Sequence, residues 1–594
     1  MDGTLNGILT KIIKENKNIV VEEDDEIYQI TTLSNIKDIK NLTSINFGYC
    51  ENILKSKYGL DEKKELIIYK IDHQKEGYKI PIIEYVVFNE NGTIKLNLDY
   101  CNNISIEHNI PVEINENDLD KYNSESSYYN DECNKVKSED GFDMTIYDRK
   151  NEFNEKNMSL CEFNCSYRGY DSNTSKVKCK CPPKNDIGTS EGKEDLNKLE
   201  ANKKPTNFGV TQCPNVFKDK EDLATNSGFL TLLLILAFFL IIFIIFCTRG
   251  KRALIYKIDE IIEKKVKNSK KEIKEKNETK KAKKTLVKNK KKNREIKISN
   301  RTKRTKNNKN KQNINYTTNI INYNNINGIS SIKGISSKFN SKTRSKNIIN
   351  EKFSGKLNDY ELNSMNYSDA FNFDKRTYCE YYLSLIKTKQ MLIFSFCTID
   401  DYNSGVIKKY ILFLSFAFHF TSSAVFFNDK TMHQIVKDKG SYNFTYHLRF
   451  IIFSALISNF CLRIFLMLIK TEKEIVKIKY EQNTKILNDQ RQKIIKCINI
   501  KYSIFFILNV ILLSLFWYYL TCFVALYQNT QLHLIKNTLI SFGLSLFYPF
   551  IINILPGVLR INSLNKEKCK NTLNKNKKGD KEYMYKVSKF FQLL

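Results

Sequence analysis

Acidic side chains are missing from every long apolar run of this 594-residue chain. Carriers coupled to protons or cations need an intramembrane carboxylate, or unwound carbonyl-rich helices, to hold the ion. The absence counts against such carriers and leaves anion or lipid movement open. Catalytic signatures are missing too. There is no G-x-G-x-x-G after a strand, no G-x-x-x-x-G-K-[ST], no H-E-x-x-H and no G-x-S-x-G, and histidine occurs only 6 times. No enzyme activity and no cofactor are expected. The opening "MDGTLNGILTKIIKENKN" lacks the apolar core of a leader peptide, so either more chain precedes it or the first apolar run itself exports the segment before it.

What is present decides the class. Five runs reach the roughly 20 residues needed to cross a hydrocarbon layer: Phe229–Cys247, Val406–Phe427, Leu448–Ile469, Ser503–Tyr527 and Leu534–Leu559. The expected fold is an α-helical multipass membrane protein of about five transmembrane helices, with a small β-rich, disulfide-containing extracellular domain. Its parts are an extracellular domain (1–228), a first span (229–247), a basic low-complexity linker (248–350), membrane-surface amphipathic helices (351–405), a four-span bundle (406–559) and a basic tail (560–594). From Arg249 to Lys311, 27 lysines and arginines face 7 carboxylates, which puts the linker in the cytoplasm. The alternation then places the loops 428–447 and 528–533 outside and the lysine-rich 470–501 inside. The expected location is the plasma membrane, with the amino-terminal domain outside.

Eight of the 15 cysteines precede the first span: Cys50, Cys101, Cys133, Cys161, Cys165, Cys179, Cys181 and Cys213. An even set, with C-x3-C-x13-C-x-C at its centre, reads as disulfides formed in an oxidising compartment. Zinc is the alternative for the C-x-C pair. Sequons at Asn41, Asn91, Asn103, Asn157, Asn164, Asn173 and Asn443 fall on the outer side. Those at Asn277, Asn300, Asn315 and Asn366 fall inside. The segments "ELIIYKI", "IPIIEYVVF" and "TIKLNLDY" read as strands, the last two joined by a turn at "NENG".

The basic linker lacks regularly interleaved aromatics, so no nucleic-acid partner is expected. Its 249–311 tract suits anionic inner-leaflet lipids. Tyr378, Tyr381, Tyr382 and Leu385 recur at helical spacing beside Lys387 and Lys389, as on an amphipathic helix lying on the membrane. His433, His447 and His533 fall near one membrane surface, a weak candidate metal or pH-sensing group. Arg463, Asn509 and Asn553 each lie about 9 Å from the inner surface. A guanidinium facing lipid costs about 3 kcal/mol, so Arg463 is expected to turn inward and bond Asn509 or Asn553. In the last span, Ser541 and Ser545 flank Gly543 as a small-residue stripe for close helix packing.

The segments "ELNSMNYSDAFNFDKRTYCEYYLSLIKTK", "FFNDKTMHQIVKDKGSYNF", "WYYLTCFVALYQNTQLHLIKNTLISFGLSLFYPF" and "YKVSKFFQLL" resemble an expanded family of uncharacterised multipass surface proteins of unicellular eukaryotes. In that family a cysteine-containing region like "YYNDEC…DRKNEFNEKNMSLCEFNC" precedes the first span. The resemblance implies the architecture above and no particular activity. A receptor- or adhesion-like surface protein with an unknown extracellular ligand, able to form homo-oligomers, is the expected function. A channel or transporter built from the last four spans is the alternative.

Overall fold

The computed structural model describes residues 18–38, 41–185, 198–218, 220–271, 274, 278, 357–397, 401–481, 486–565 and 575–593. Most of the basic linker, with Asn277, Asn300 and Asn315, lies outside the described residues. The chain forms two compact units. One takes in the chain up to Phe238 with Phe413–Leu462 and Asn509–Leu546; the other takes in Phe239–Leu412, Arg463–Leu508 and Phe547–Leu594.

The first unit opens with two antiparallel four-stranded sheets. Strands β1 (Ile19–Glu23), β2 (Glu26–Thr32), β4 (Ile67–His73) and β5 (Ile82–Phe88) make one sheet in the order β1-β2-β4-β5. Strands β3 (Ser44–Asn46), β6 (Ile106–Pro111), β7 (Ser166–Asp171) and β8 (Lys176–Cys181) make the other, ordered β3-β6-β8-β7. The inward positions obey the period of two that strands impose. Ile83, Tyr85 and Val87 of β5 share one core with Ile106 and Ile110 of β6 and Val177 of β8. "ELIIYKI" and "IPIIEYVVF" become β4 and β5. "TIKLNLDY" does not become a strand: it contributes one bridge, Phe88 to Lys95. The Asn97 side chain then accepts from Asp99 N and starts the tight turn Leu98–Cys101. A local side-chain bond has outcompeted the ladder.

Polar groups also point into this core. Lys70 is fully buried and donates to Asp72 Oδ2 (2.7 Å) and to the Thr43 carbonyl (2.9 Å). Removing one partner from a buried pair of this kind typically costs about 3–5 kcal/mol. Burial pulls the Lys70 ammonium below its ordinary value, against the attraction of Asp72.

The eight cysteines pair as Cys50–Cys101, Cys133–Cys213, Cys161–Cys179 and Cys165–Cys181. Cys179 and Cys181 sit two apart on β8, so both face the core, and each is drawn to a different upstream cysteine. With all eight engaged, the zinc alternative is excluded. Helix α1 (Tyr49–Lys57) carries Cys50 at its start. Helix α2 (Ile146–Glu155) begins with a capping box in which Thr145 and Asp148 satisfy each other's backbone donors.

Among the described residues, five helices are long and apolar enough to cross a membrane. The first, α3 (Ser227–Lys271), runs from the apolar span through a single π-turn (Phe246–Gly250) into charged sequence. Short helices α4 (Asp359–Ser364), α5 (Tyr367–Phe373), α6 (Tyr378–Lys389) and α7 (Met391–Phe396) follow. Next come α8 (Gly405–Phe426), α9 (Asp429–Lys437), α10 (Phe444–Ile469) and α11 (Glu472–Tyr480). The chain ends with α12 (Leu487–Leu526), α13 (Gln531–Ile552), α14 (Ile554–Leu564) and α15 (Lys575–Leu593). Side chains such as Leu234, Phe460, Leu515 and Ile551 stand exposed on the spans, as lipid-facing positions should.

Within the lysine-rich stretch 470–501, α11 and the start of α12 are helical rather than loop. At 40 residues, α12 is about 60 Å long, twice the hydrocarbon thickness, so its charged first half extends beyond the apolar layer. Asn553 interrupts the last span between α13 and α14, and its side-chain amide returns to the Pro549 carbonyl (2.6 Å).

The amphipathic α6 has two apolar faces rather than one. Leu383 is exposed, while Tyr381 and Leu385 are buried. Tyr381 lies under the guanidiniums of Arg376 (5.2 Å) and Arg560 (4.7 Å). Protein therefore covers the face expected to meet the membrane at Tyr381 and Leu385.

Candidate functional site

Within the first unit, the disulfide-bonded domain meets the loops between the spans. The α2 capping residue Asp148 uses one oxygen for Thr145 and gives the other, Oδ1, to His433 Nδ1 of α9 (2.7 Å). The Tyr147 ring stands edge-on to the same imidazole, 5.7 Å away. Beside this pair, Asp429 at the start of α9 accepts from Lys204 N (2.9 Å). A second contact joins Asp143 to the turn between α12 and α13. It accepts from Asn529 Nδ2 (2.9 Å), Thr530 N (2.8 Å) and Thr530 Oγ1 (2.8 Å). Three donors on one buried carboxylate compensate its desolvation. Burial still outweighs them and holds the Asp143 carboxyl above its ordinary value. Asn226 Nδ2 to the Thr521 carbonyl (2.9 Å) and Tyr518 Oη to the Thr211 carbonyl (2.7 Å) tie the pre-span segment to α12.

Gly228 permits a close approach of α3 to α12. A Cβ there would lie 2.8 Å from the Leu520 carbonyl oxygen. This is the small-residue packing that the sequence reading assigned to the stripe around Gly543, where a Cβ would meet open space. The serines of that stripe do something else. Asn537, Ser541 and Ser545 recur every fourth residue on α13, hence on one face. Asn537 meets His447 Nδ1 (3.1 Å), Ser541 meets His419 Nδ1 (2.9 Å) and Ser545 donates to Asn459 (2.7 Å). Ser422 of α8 bonds Ser454 (2.6 Å) and Ser458 (2.7 Å) of α10. The three spans α8, α10 and α13 thus share a seam of buried hydroxyl, amide and imidazole groups.

The histidine trio expected at the outer surface divides. His447 and His533 both stack on Tyr442, their rings 5.0 Å and 5.9 Å from it. His433 is taken by Asp148. Among the described residues, no group of three or more His, Cys, Asp or Glu is placed to hold a metal ion.

The expected inward turn of Arg463 is a correction. Its side chain is exposed, and it makes no hydrogen bond to Asn553, which is buried and bonded to its own helix. Asn509 is buried as well. The physical reason is reach: a guanidinium about 9 Å from the membrane surface can extend its flexible stem toward headgroups.

Of the sequons expected outside, Asn41, Asn91, Asn103, Asn164, Asn173 and Asn443 are exposed, and Asn157 is half-buried. No sequence pattern announced Asp143, Asp148 or His419. Each has a partner more than 100 residues away.

Comparison with known proteins finds no matching family model, no matching curated protein and no matching solved structure. The class rests on the fold alone: an α-helical multipass membrane protein with a β-rich, disulfide-bonded amino-terminal domain.

Proposed function

We propose that this chain is a plasma-membrane surface protein of receptor or adhesion type, whose disulfide-bonded domain is the ligand-facing part. The supporting observation is the double contact of Asp143 with Asn529 and Thr530, and of Asp148 with His433. Through it, a ligand bound by the domain would act directly on the turn before α13 and on α9. The resemblance to multipass surface proteins of unicellular eukaryotes belongs to the same reading. No catalytic step is part of it.

Single-cell force measurements test it. Cells displaying the full chain are expected to show a detachment force that rises with surface expression and is abolished by mild proteolytic removal of the exposed domain. Equal forces with and without the chain would sink the reading. A second reading, an anion or lipid transporter, draws on the seam of Asn537, Ser541 and Ser545. Whole-cell current or uptake that appears with the chain and survives removal of the domain would favour it.

A further inference from the structure

The second unit holds a group of positive charges that form no ion pair among the described residues. At the carboxyl end of α6 the Lys389 ammonium is enclosed and has no hydrogen-bond partner among the described residues. Burial, and then the charges of Arg463 and Lys470, pull it down to about 8. Lys470, at the end of α10, places its ammonium 5.9 Å from the Phe394 ring of α7. Arg463 lies two turns earlier on α10, exposed, and neither its side chain nor that of Lys470 makes an ion pair among the described residues. Nearby carboxylates are engaged elsewhere. Asp401 is held by Lys408 (3.0 Å) and Asn403 (3.1 Å), and Glu472, which also feels the charge of Lys470, by Asn403 (2.7 Å).

Two like charges beside an enclosed, unpaired ammonium are unfavourable by themselves, since burying an uncompensated charge costs several kcal/mol. An anion removes that cost. Lysine and arginine suit a phosphate, which offers several oxygens to their multiple donors. The same cationic face belongs to the part of the chain that carries the basic extension of α3, because Lys265 donates to the Ile478 carbonyl (2.9 Å) and Arg491 pairs with Asp259 (2.5 Å).

We propose that Lys389, Arg463 and Lys470 form a binding site for a phosphate group at the membrane surface. The phosphate has two sources of identical chemistry, the headgroup of an acidic phospholipid and free inorganic phosphate. Exposed apolar side chains beside the site, Leu392 and Phe396 on α7 and Ile464 and Met467 on α10, supply a surface for acyl chains. This site is distinct from the 249–311 tract, which acts through diffuse charge rather than through an enclosed ammonium.

The test uses the full chain in phosphatidylcholine vesicles containing a minor fraction of phosphatidylinositol phosphate. Lipid retained after extraction is quantified by mass spectrometry, and radiolabelled phosphate binding is measured in parallel. Lys389→Gln, Arg463→Gln and Lys470→Gln are compared with Lys387→Gln, which removes an exposed lysine two positions away. Each site variant is expected to lower retention about fivefold, the effect of one basic residue near a membrane surface. Lys387→Gln leaves retention unchanged.

Retention that withstands excess inorganic phosphate assigns the site to the lipid. Labelled phosphate bound without lipid, and lost in the same variants, assigns it to the free ion. In either case wild-type binding weakens as pH rises above about 8. Should Lys389→Gln fail to fold, Arg463→Gln decides, because that side chain is exposed. The proposal is overturned if wild type and site variants retain lipid and phosphate equally, or if Lys387→Gln loses as much as Arg463→Gln.

Discussion

The amino-terminal domain and the helical layer beyond Phe239 hold distant segments together by different chemistry. In the domain, four disulfides join stretches 16 to 80 residues apart. In the second unit, Cys247, Cys379, Cys397 and Cys497 are free and exposed, and the ties are buried ions. Arg560, almost fully buried, donates to Asp374 (2.9 Å) and to the Leu362 carbonyl (2.7 Å). Arg376 grips the other side of Asp374. Glu361 accepts from Lys479 (2.8 Å) and Tyr480 (3.1 Å). Burial pushes the Asp374 carboxyl up, but the hydrogen bonds and charges of Arg376 and Arg560 outweigh it and leave it below its ordinary value. Disulfides form and persist in oxidising compartments, which fits the amino-terminal domain.

The largest expected effect breaks the covalent half. Replacing Cys179 and Cys181 by serine removes both cross-links of β8. At about 2–5 kcal/mol each, the loss matches the whole stability of a typical domain. The domain should lose its resistance to limited proteolysis in the full chain. The matched change of Cys379 and Cys397 to serine should leave melting and proteolysis unaltered. Equal damage from both pairs would show that the two regions do not differ in this way.

Next in size is the ionic half. Asp374→Asn leaves the Arg560 guanidinium buried without its counter-charge, at an expected cost of about 3–5 kcal/mol. Thermal unfolding of the purified chain should show it. A double change, Asp374→Leu with Arg560→Met, should recover part of the loss, because a buried ion pair replaced by apolar groups is often near neutral. If the double variant is as damaged as Asp374→Asn, the pair is not the source of the effect.

The comparison also explains what could be read in advance. Apolar runs without carboxylates announce spans because the bilayer forbids the alternative, and the cysteine count announces cross-links because oxidation makes even sets. Period-two strands such as "IPIIEYVVF" are equally visible. Contacts such as Asp143 with Thr530, 387 positions apart, leave no local trace. The Arg463 expectation went wrong for a related reason. Depth along a helix follows from counting residues, but the direction a side chain faces depends on which neighbours pack there. Lys389 gave a partial signal, a lysine ending an amphipathic helix, yet its enclosure depends on tertiary packing that no local pattern records.

The smallest expected effect concerns pH at the contact between α2 and α9. The hydrogen bond and charge of Asp148 raise the His433 imidazole above its ordinary value, against burial and the charge of Lys203, with Glu155 adding a little. A base whose value is raised in the docked state stabilises docking fully below its undocked value, near 6.5. That stabilisation disappears as pH climbs through the raised value. Acidification from about pH 8 to about pH 6 should therefore tighten the contact. His433 is 41% exposed, so solvent screening limits the gain to below about 1 kcal/mol. Amide exchange of Asp429–Lys437 should slow by no more than about fivefold over that range, and His433→Gln should remove the dependence. Asp143 works in the same direction at lower pH, because burial raises it and its protonation also favours the docked state. A profile that persists in His433→Gln and shifts in Asp143→Asn would move the sensor from the imidazole to the carboxylate.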